Sequence, residues 1–178
     1  MLDFKMHKEE IVNRMKKLDE RADLEFEGDG RFQIVIVGGG ALVLRGYIAR
    51  ATDDIDTLET DSKLFGLMEL YDINGRANAY INSFLWNYPD RIELFMTGKK
   101  IDYFTASLED IVVSKLCADR EQDLNDLAAV ADVVNWELLD KLVNDKDELR
   151  LITMSDRGYM NFQAGYEIFE RRYRPCKD

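Results

Sequence analysis

The sequence predicts an α+β fold: a small mixed β-sheet flanked by helices, then a helical carboxyl-terminal subdomain. Three observations predict it. The β-branched run Gln33-Ile-Val-Ile-Val37 is nearly uninterrupted and bounded by glycines, as a buried central strand is. Two more β-like runs, Arg91 to Phe95 and Lys100 to Thr105, flank Thr97-Gly98-Lys99, a spacing that predicts a hairpin. Apolar residues recur three and four apart near the amino terminus and again from Ser107 onward. At 178 residues, with 46% hydrophobic and 33% charged content, the chain is expected to form one domain over 1–178. Its core would span 25–106 behind an amino-terminal helix at 6–24, with the helical subdomain at 107–178.

In chain order, Ile11, Met15 and Leu18 share one face of the first helix, with charges elsewhere. The segment GDGRF turns the chain into the strand at Gln33 to Val37. Three glycines follow, then a short helix at Ala41 to Arg45 and a strand at Ile55 to Leu58 led in by Thr52 and Asp53. Ser62 to Tyr71 and Arg76 to Phe84 read as helices, and Pro89 ends the irregular link WNYPD. Ser107 with Asp110 resembles a capping box in which Asp replaces Glu, opening a helix through Ile111, Val112, Leu116 and Cys117. Further helices are expected near Gln122 to Val134, Trp136 to Asn144 and Asp156 to Arg172.

Charge and composition narrow the function. With 24 Lys and Arg against 35 Asp and Glu, the net charge of -11 argues against a general nucleic-acid binder, which needs a cationic contact face. A small anionic substrate remains compatible if a divalent cation accompanies it. The tail ERRYRPCKD is locally basic, either a patch for RNA or an acidic partner or a helix end whose cations suit the dipole. No stretch reaches the roughly 18 apolar residues of a membrane span, and the mixed charges of MLDFKMHKEE do not form a secretory signal. Two cysteines, Cys117 and Cys176, make no disulfide framework, so a cytoplasmic location is expected. There is no Ser-His-Asp, Cys-His or zinc-ligand arrangement. The single histidine, His7, lies on a charged face, and Trp86 and Trp136 read as packing residues.

The chemistry is concentrated in Ile34-VIVGGGALVLRGYIARATDDID-Thr57. Gly38, Gly39 and Gly40 at a strand end can take positive φ and expose N–H groups at a helix start, where an anion is favoured. Asp54 and Asp56, two apart on a strand, would share one face at about 7 Å from backbone to backbone, with Ile55 turned into the core. That spacing suits one or two Mg²⁺ ions with phosphate oxygens as further ligands. Asp53 points the other way, and Arg50 either reaches phosphate or pairs with Asp53.

The order strand, glycine pair, thirteen residues (Ala41 to Asp53), then Asp-Ile-Asp resembles the nucleotidyltransferase superfamily. The version GGxALxLRG...RATxDID is similar to a subgroup of predicted nucleotidyltransferases that includes AbiEii-type toxins. A second block, Ser107-LEDIVVSKLCADREQDLND-Leu127, resembles that subgroup's helical segment. The resemblance implies Mg²⁺ (or Mn²⁺) on Asp54 and Asp56 and an NTP substrate cradled by Gly38 to Gly40, Arg50 and Thr52. It implies an RNA or protein acceptor, and a toxin in a toxin–antitoxin or phage-defence pair with an antitoxin partner. On a continuous helix Lys115, Asp119, Asp123 and Asp126 would lie within an arc of about 80°. There Lys115 would hold the triphosphate, with Asp123 or Asp126 orienting it or the acceptor hydroxyl. The bland alternative is an ordinary Lys115–Asp119 surface pair. The family's third carboxylate, metal ligand and general base, has Glu93 as first candidate and Asp102 as second. Without it the chain would be a non-catalytic nucleotide- or partner-binding module.

Overall fold

The amphipathic stretch at the amino terminus forms α1, Lys8–Glu25, which buries Ile11, Met15, Leu18 and Ala22 along one stripe and leaves His7 exposed at its cap. The computed structural model describes residues 6–58, 60–76, 83–118 and 120–176. The chain folds into two units, Met1–Asn78 with Asp90–Ala106, and Ala79–Pro89 with Ser107–Asp178. No described helix is long and apolar enough to cross a membrane.

The first unit holds the sheet. Its strands are β1 (Phe32–Ile36), β2 (Thr57–Leu58), β3 (Glu93–Thr97) and β4 (Ile101–Thr105), in spatial order β2-β1-β4-β3. β1 runs parallel to β4, with Ile36 opposite Thr105, and antiparallel to β2, so the sheet is mixed as predicted. Ile34, Val35 and Ile36 are all buried, which is why the central strand reads as an unbroken apolar run. β3 and β4 form the predicted hairpin, shifted in register between Leu94 and Met96. Asp19 on α1 staples that hairpin: its carboxylate accepts the N–H groups of Lys99, Lys100 and Ile101, each at 2.8 Å.

Two expectations change in this unit. The helix after β1, α2, spans Gly38–Arg45, so the glycines are its first turn rather than a loop before it. It ends at Gly46, whose φ of 74° turns the following Tyr47 N–H back onto the Leu42 carbonyl at 2.9 Å. β2 begins at Thr57, because the chain at Thr52 to Asp54 turns back on itself instead of continuing the ladder. A 3₁₀ turn, Ser62–Leu64, leads into α3, Phe65–Leu70. The helix expected at Arg76 to Phe84 falls mostly on 77–82, outside the described residues.

The second unit is helical: α4 (Leu108–Ala118), α5 (Glu121–Val130), α6 (Trp136–Asn144), α7 (Lys146–Thr153) and α8 (Asp156–Tyr173). The capping box is present. Ser107 Oγ accepts the Asp110 N–H at 3.1 Å and donates to Asp110 Oδ2 at 2.7 Å. The helix through Lys115 is not continuous, since Arg120 is extended at φ -92° and ψ 153° and starts α5 afresh. α7 was not predicted. Asp145 caps it by accepting the Glu148 N–H. Trp136 stacks on Phe169 at 5.2 Å, whereas Trp86 is 77% exposed and is not a core residue. The basic tail is partly spent within the unit: Arg174 pairs with Asp140 at 2.7 Å and with Glu170, and lies over the Trp136 ring.

Candidate functional site

The β1–β2 ladder runs one bond past its strands, because the Val37 N–H donates to the Asp56 carbonyl at 3.0 Å. This sets Asp56 beside the start of α2. Gly38 takes φ 61°, which turns the chain from strand into helix, and no side chain caps that helix start. The first N–H groups of an α-helix have no internal acceptor, so the glycine turn presents donors. A Cβ on Gly39 would stand 3.2 Å from Thr52 Oγ1 and 3.3 Å from Arg50 Nη2. One on Gly40 would stand 3.5 Å from the Asp54 carbonyl. The missing side chains therefore let Arg50, Thr52, Asp54 and Asp56 close against the glycine turn. Gly39 is needed for this approach, not for positive φ.

The two aspartates differ in environment. Asp54 is exposed, and Thr52 Oγ1 donates to its carbonyl at 3.1 Å with Asp54 Oδ1 at 3.5 Å. Asp56 is only 6% exposed, and its Oδ1 accepts from Asn74 Nδ2 at 2.8 Å. Ile55 between them is fully buried, as expected, but Asp54 stands outside any strand and only one of the pair is solvated. Among the described residues no three His, Cys, Asp or Glu side chains converge as a ready cation cage. Two carboxylates nevertheless fit Mg²⁺, which keeps several waters and takes substrate phosphates as its other ligands. Arg50 Nη1 donates to the Ala51 carbonyl at 3.0 Å, which holds the guanidinium over Gly39.

The candidates for a third acid separate clearly. Asp102 lies opposite Gln33, three residues before Thr105, hence about 10 Å along the sheet from the glycine end. Arg31 donates to both of its oxygens and holds its carboxyl below the usual range. Arg31 also reaches the carbonyls of Lys99 and Gly98, so the pair closes the hairpin. Glu93 lies opposite Thr105, at the glycine end but two strands from β1. Arg45 of α2 ties that corner together, donating to Thr105 Oγ1 and the Glu93 carbonyl at 2.8 Å each, with Glu93 Oε2 at 3.4 Å.

Within the helical unit, Lys115 Nζ sits between Asp123 Oδ1 at 2.8 Å and Asp126 Oδ2 at 2.7 Å. The break between α4 and α5, not a shared helix face, brings them together. Lys115 is 7% exposed and the two aspartates 1% each, so this is a buried network rather than a surface pair. Arg120 adds a bond to Asp123 Oδ2 at 2.8 Å. Burial pushes the Asp123 carboxyl up, but the hydrogen bonds and charges of Arg120 and Lys115 outweigh it and hold it below the usual range. Asp119 lies outside the described residues.

No sequence pattern singles out Asn74, and Arg45, although inside the GGxALxLRG motif, is not marked there as a partner of Glu93. Asn74-Gly75 reads as a turn dipeptide, which signals a bend but not a partner for Asp56. A family model described as "Nucleotidyltransferase of unknown function (DUF6036)" matches residues 13–174. No curated protein and no solved structure matches the chain significantly.

Proposed function

Because the chain belongs to a family of nucleotidyltransferases of unknown function, we propose that it transfers the nucleotidyl group of an NTP to a hydroxyl of RNA or protein. What supports this is the closure of Arg50, Thr52, Asp54 and Asp56 on a glycine helix start. In this reading Asp54 and Asp56 hold Mg²⁺ or Mn²⁺, which supplies the positive charge that phosphoryl transfer needs among the phosphate oxygens. The N–H groups of Gly38 to Gly40 and the Arg50 guanidinium bind the triphosphate. Thr52 fixes the backbone at Asp54. The acceptor oxygen bonds to the α-phosphorus in line as the bond to the bridging oxygen of pyrophosphate breaks, and the hydroxyl proton leaves to solvent. Positioning and charge neutralisation are the protein's contribution.

Lys115 is assigned a different role from the triphosphate contact implied by the sequence resemblance. A lysine already held by two buried carboxylates is not a reserve cation, and we assign Lys115, Asp123 and Asp126 to holding α4 against α5. The experiment is incubation with each α-³²P-labelled NTP and Mg²⁺, with and without total RNA, beside the Asp54→Ala/Asp56→Ala double variant. Labelled product from the wild type alone supports the reading. Equal nucleotide affinity in the double variant refutes the metal assignment.

A second reading, a non-catalytic nucleotide- or partner-binding module, has its own observation: Glu93 is engaged by Arg45, and no third acid converges on Asp54 and Asp56 among the described residues. Mg-dependent binding without any labelled product favours it. The second sequence block supports the finer proposal of a toxin with an antitoxin partner. Growth arrest on induced expression, relieved by Asp54→Ala, tests it.

A further inference from the structure

We propose that Asn74 is the positioning residue of the Asp56 carboxylate, holding one of its oxygens in place while the group ligates the cation. This rests on the reading of Asp54 and Asp56 as the metal site. Asn74 pairs with Asp56 as an isolated parallel bridge and is held from several sides. Its N–H donates to the Ile55 carbonyl at 2.9 Å, and its carbonyl accepts from Thr57 N at 3.1 Å and Thr57 Oγ1 at 3.0 Å. Its side-chain Oδ1 accepts the Arg76 N–H at 3.0 Å, which leaves Nδ2 aimed at Asp56 Oδ1 at 2.8 Å.

That last pairing decides the amide's orientation. Flipping it would set an NH₂ group against the Arg76 N–H and a carbonyl against a carboxylate, two like-with-like contacts. Nδ2 is therefore a fixed donor. It holds one oxygen of a carboxylate that is only 6% exposed, and it does so without positive charge. A lysine or arginine in the same place would orient Asp56 but cancel the charge a cation needs. Ligating carboxylates are themselves hydrogen-bonded in metal sites, and losing such a partner typically lowers metal affinity roughly 10–100-fold.

The test is Mn²⁺ affinity, read by water-proton relaxation without nucleotide, in the wild type, Asn74→Ala and Thr57→Val. Thr57→Val removes the hydroxyl that stitches to the Asn74 carbonyl but leaves Nδ2 on Asp56, so it isolates the structural share. The expected result is a dissociation constant raised roughly 10–100-fold by Asn74→Ala and within about twofold of wild type for Thr57→Val. Equal affinity in Asn74→Ala and wild type rejects the positioning role and leaves the metal reading standing. Equal losses in both variants reduce Asn74 to a loop stitch and also reject it. A wild type that binds no Mn²⁺ removes both readings. Should Asn74→Ala not fold, the wild type alone decides: Mn²⁺ must broaden the assigned Asn74 side-chain amide resonances, and unbroadened signals at saturation overturn the proposal.

Discussion

Replacing Lys115 with Met removes one cation from between two carboxylates that are each 1% exposed. Breaking a buried pair by deleting one partner costs about 3–5 kcal/mol, because the remaining charge loses its compensation in a poorly solvated place. Asp123 keeps the Arg120 bond at 2.8 Å, which puts the expected loss near the lower end, about 3 kcal/mol. For a chain of this size each kcal/mol shifts the melting temperature by about 2–4 °C, so Lys115→Met should melt roughly 6–12 °C below wild type. The pH dependence has a defined sign. Asp123 titrates below its usual value when folded, so its pairing stabilises fully above the unfolded carboxylate pKa of about 3.9 and is lost as pH falls through the lower folded value. The gap between wild type and variant should therefore be constant above about pH 5 and narrow below about pH 4. Calorimetry across that range, with ATP and adenosine titrations at neutral pH, is the assay. A shift under about 2 °C, with ATP affinity lost and adenosine affinity kept, refutes the structural assignment and restores Lys115 as a triphosphate ligand.

Asp19→Ala strips three backbone N–H groups of their acceptor under a residue 6% exposed, and urea unfolding should show a loss of about 3 kcal/mol or more. A loss below about 1 kcal/mol means the hairpin is held by other means. Gly39→Val forces apart Thr52 and Arg50 and should weaken NTP binding at least about tenfold while melting changes little. Gly66→Ala, in open space, is the control, since Gly46 at φ 74° is a helix end and not neutral. Burial pushes the Cys117 thiol up to about 12, so iodoacetamide at about pH 8 should label only the exposed Cys176 in the native protein and both after unfolding. Native labelling of Cys117 as fast as Cys176 contradicts the upward shift.

The helix stripes, the strand at Phe32–Ile36, the hairpin and the Ser107 cap were legible because each is a local pattern. Period, β-branching, a glycine turn and a capping hydroxyl act over a few residues, and their consequences follow without knowing what packs on them. The glycine turn followed by Asp-Ile-Asp was legible for the same reason. What the tertiary structure decided depends on residues far apart in the chain. Asp19 and Lys99 to Ile101 meet only because α1 lies along the hairpin, and a buried aspartate on a helix stripe looks like a surface charge until its three N–H partners arrive. Asn74 meets Asp56 across eighteen positions by a bridge that no periodicity predicts. The unlike environments of Asp54 and Asp56 follow from the fold-back at Thr52, a packing consequence of Gly39 rather than a sequence pattern. Lys115 shows the limit most directly: helical spacing puts it on a surface arc with Asp123 and Asp126, and a break at Arg120 encloses all three instead. Sequence order determined which groups are present, and the folded chain decided which carboxylates face solvent and which lysine is already spent.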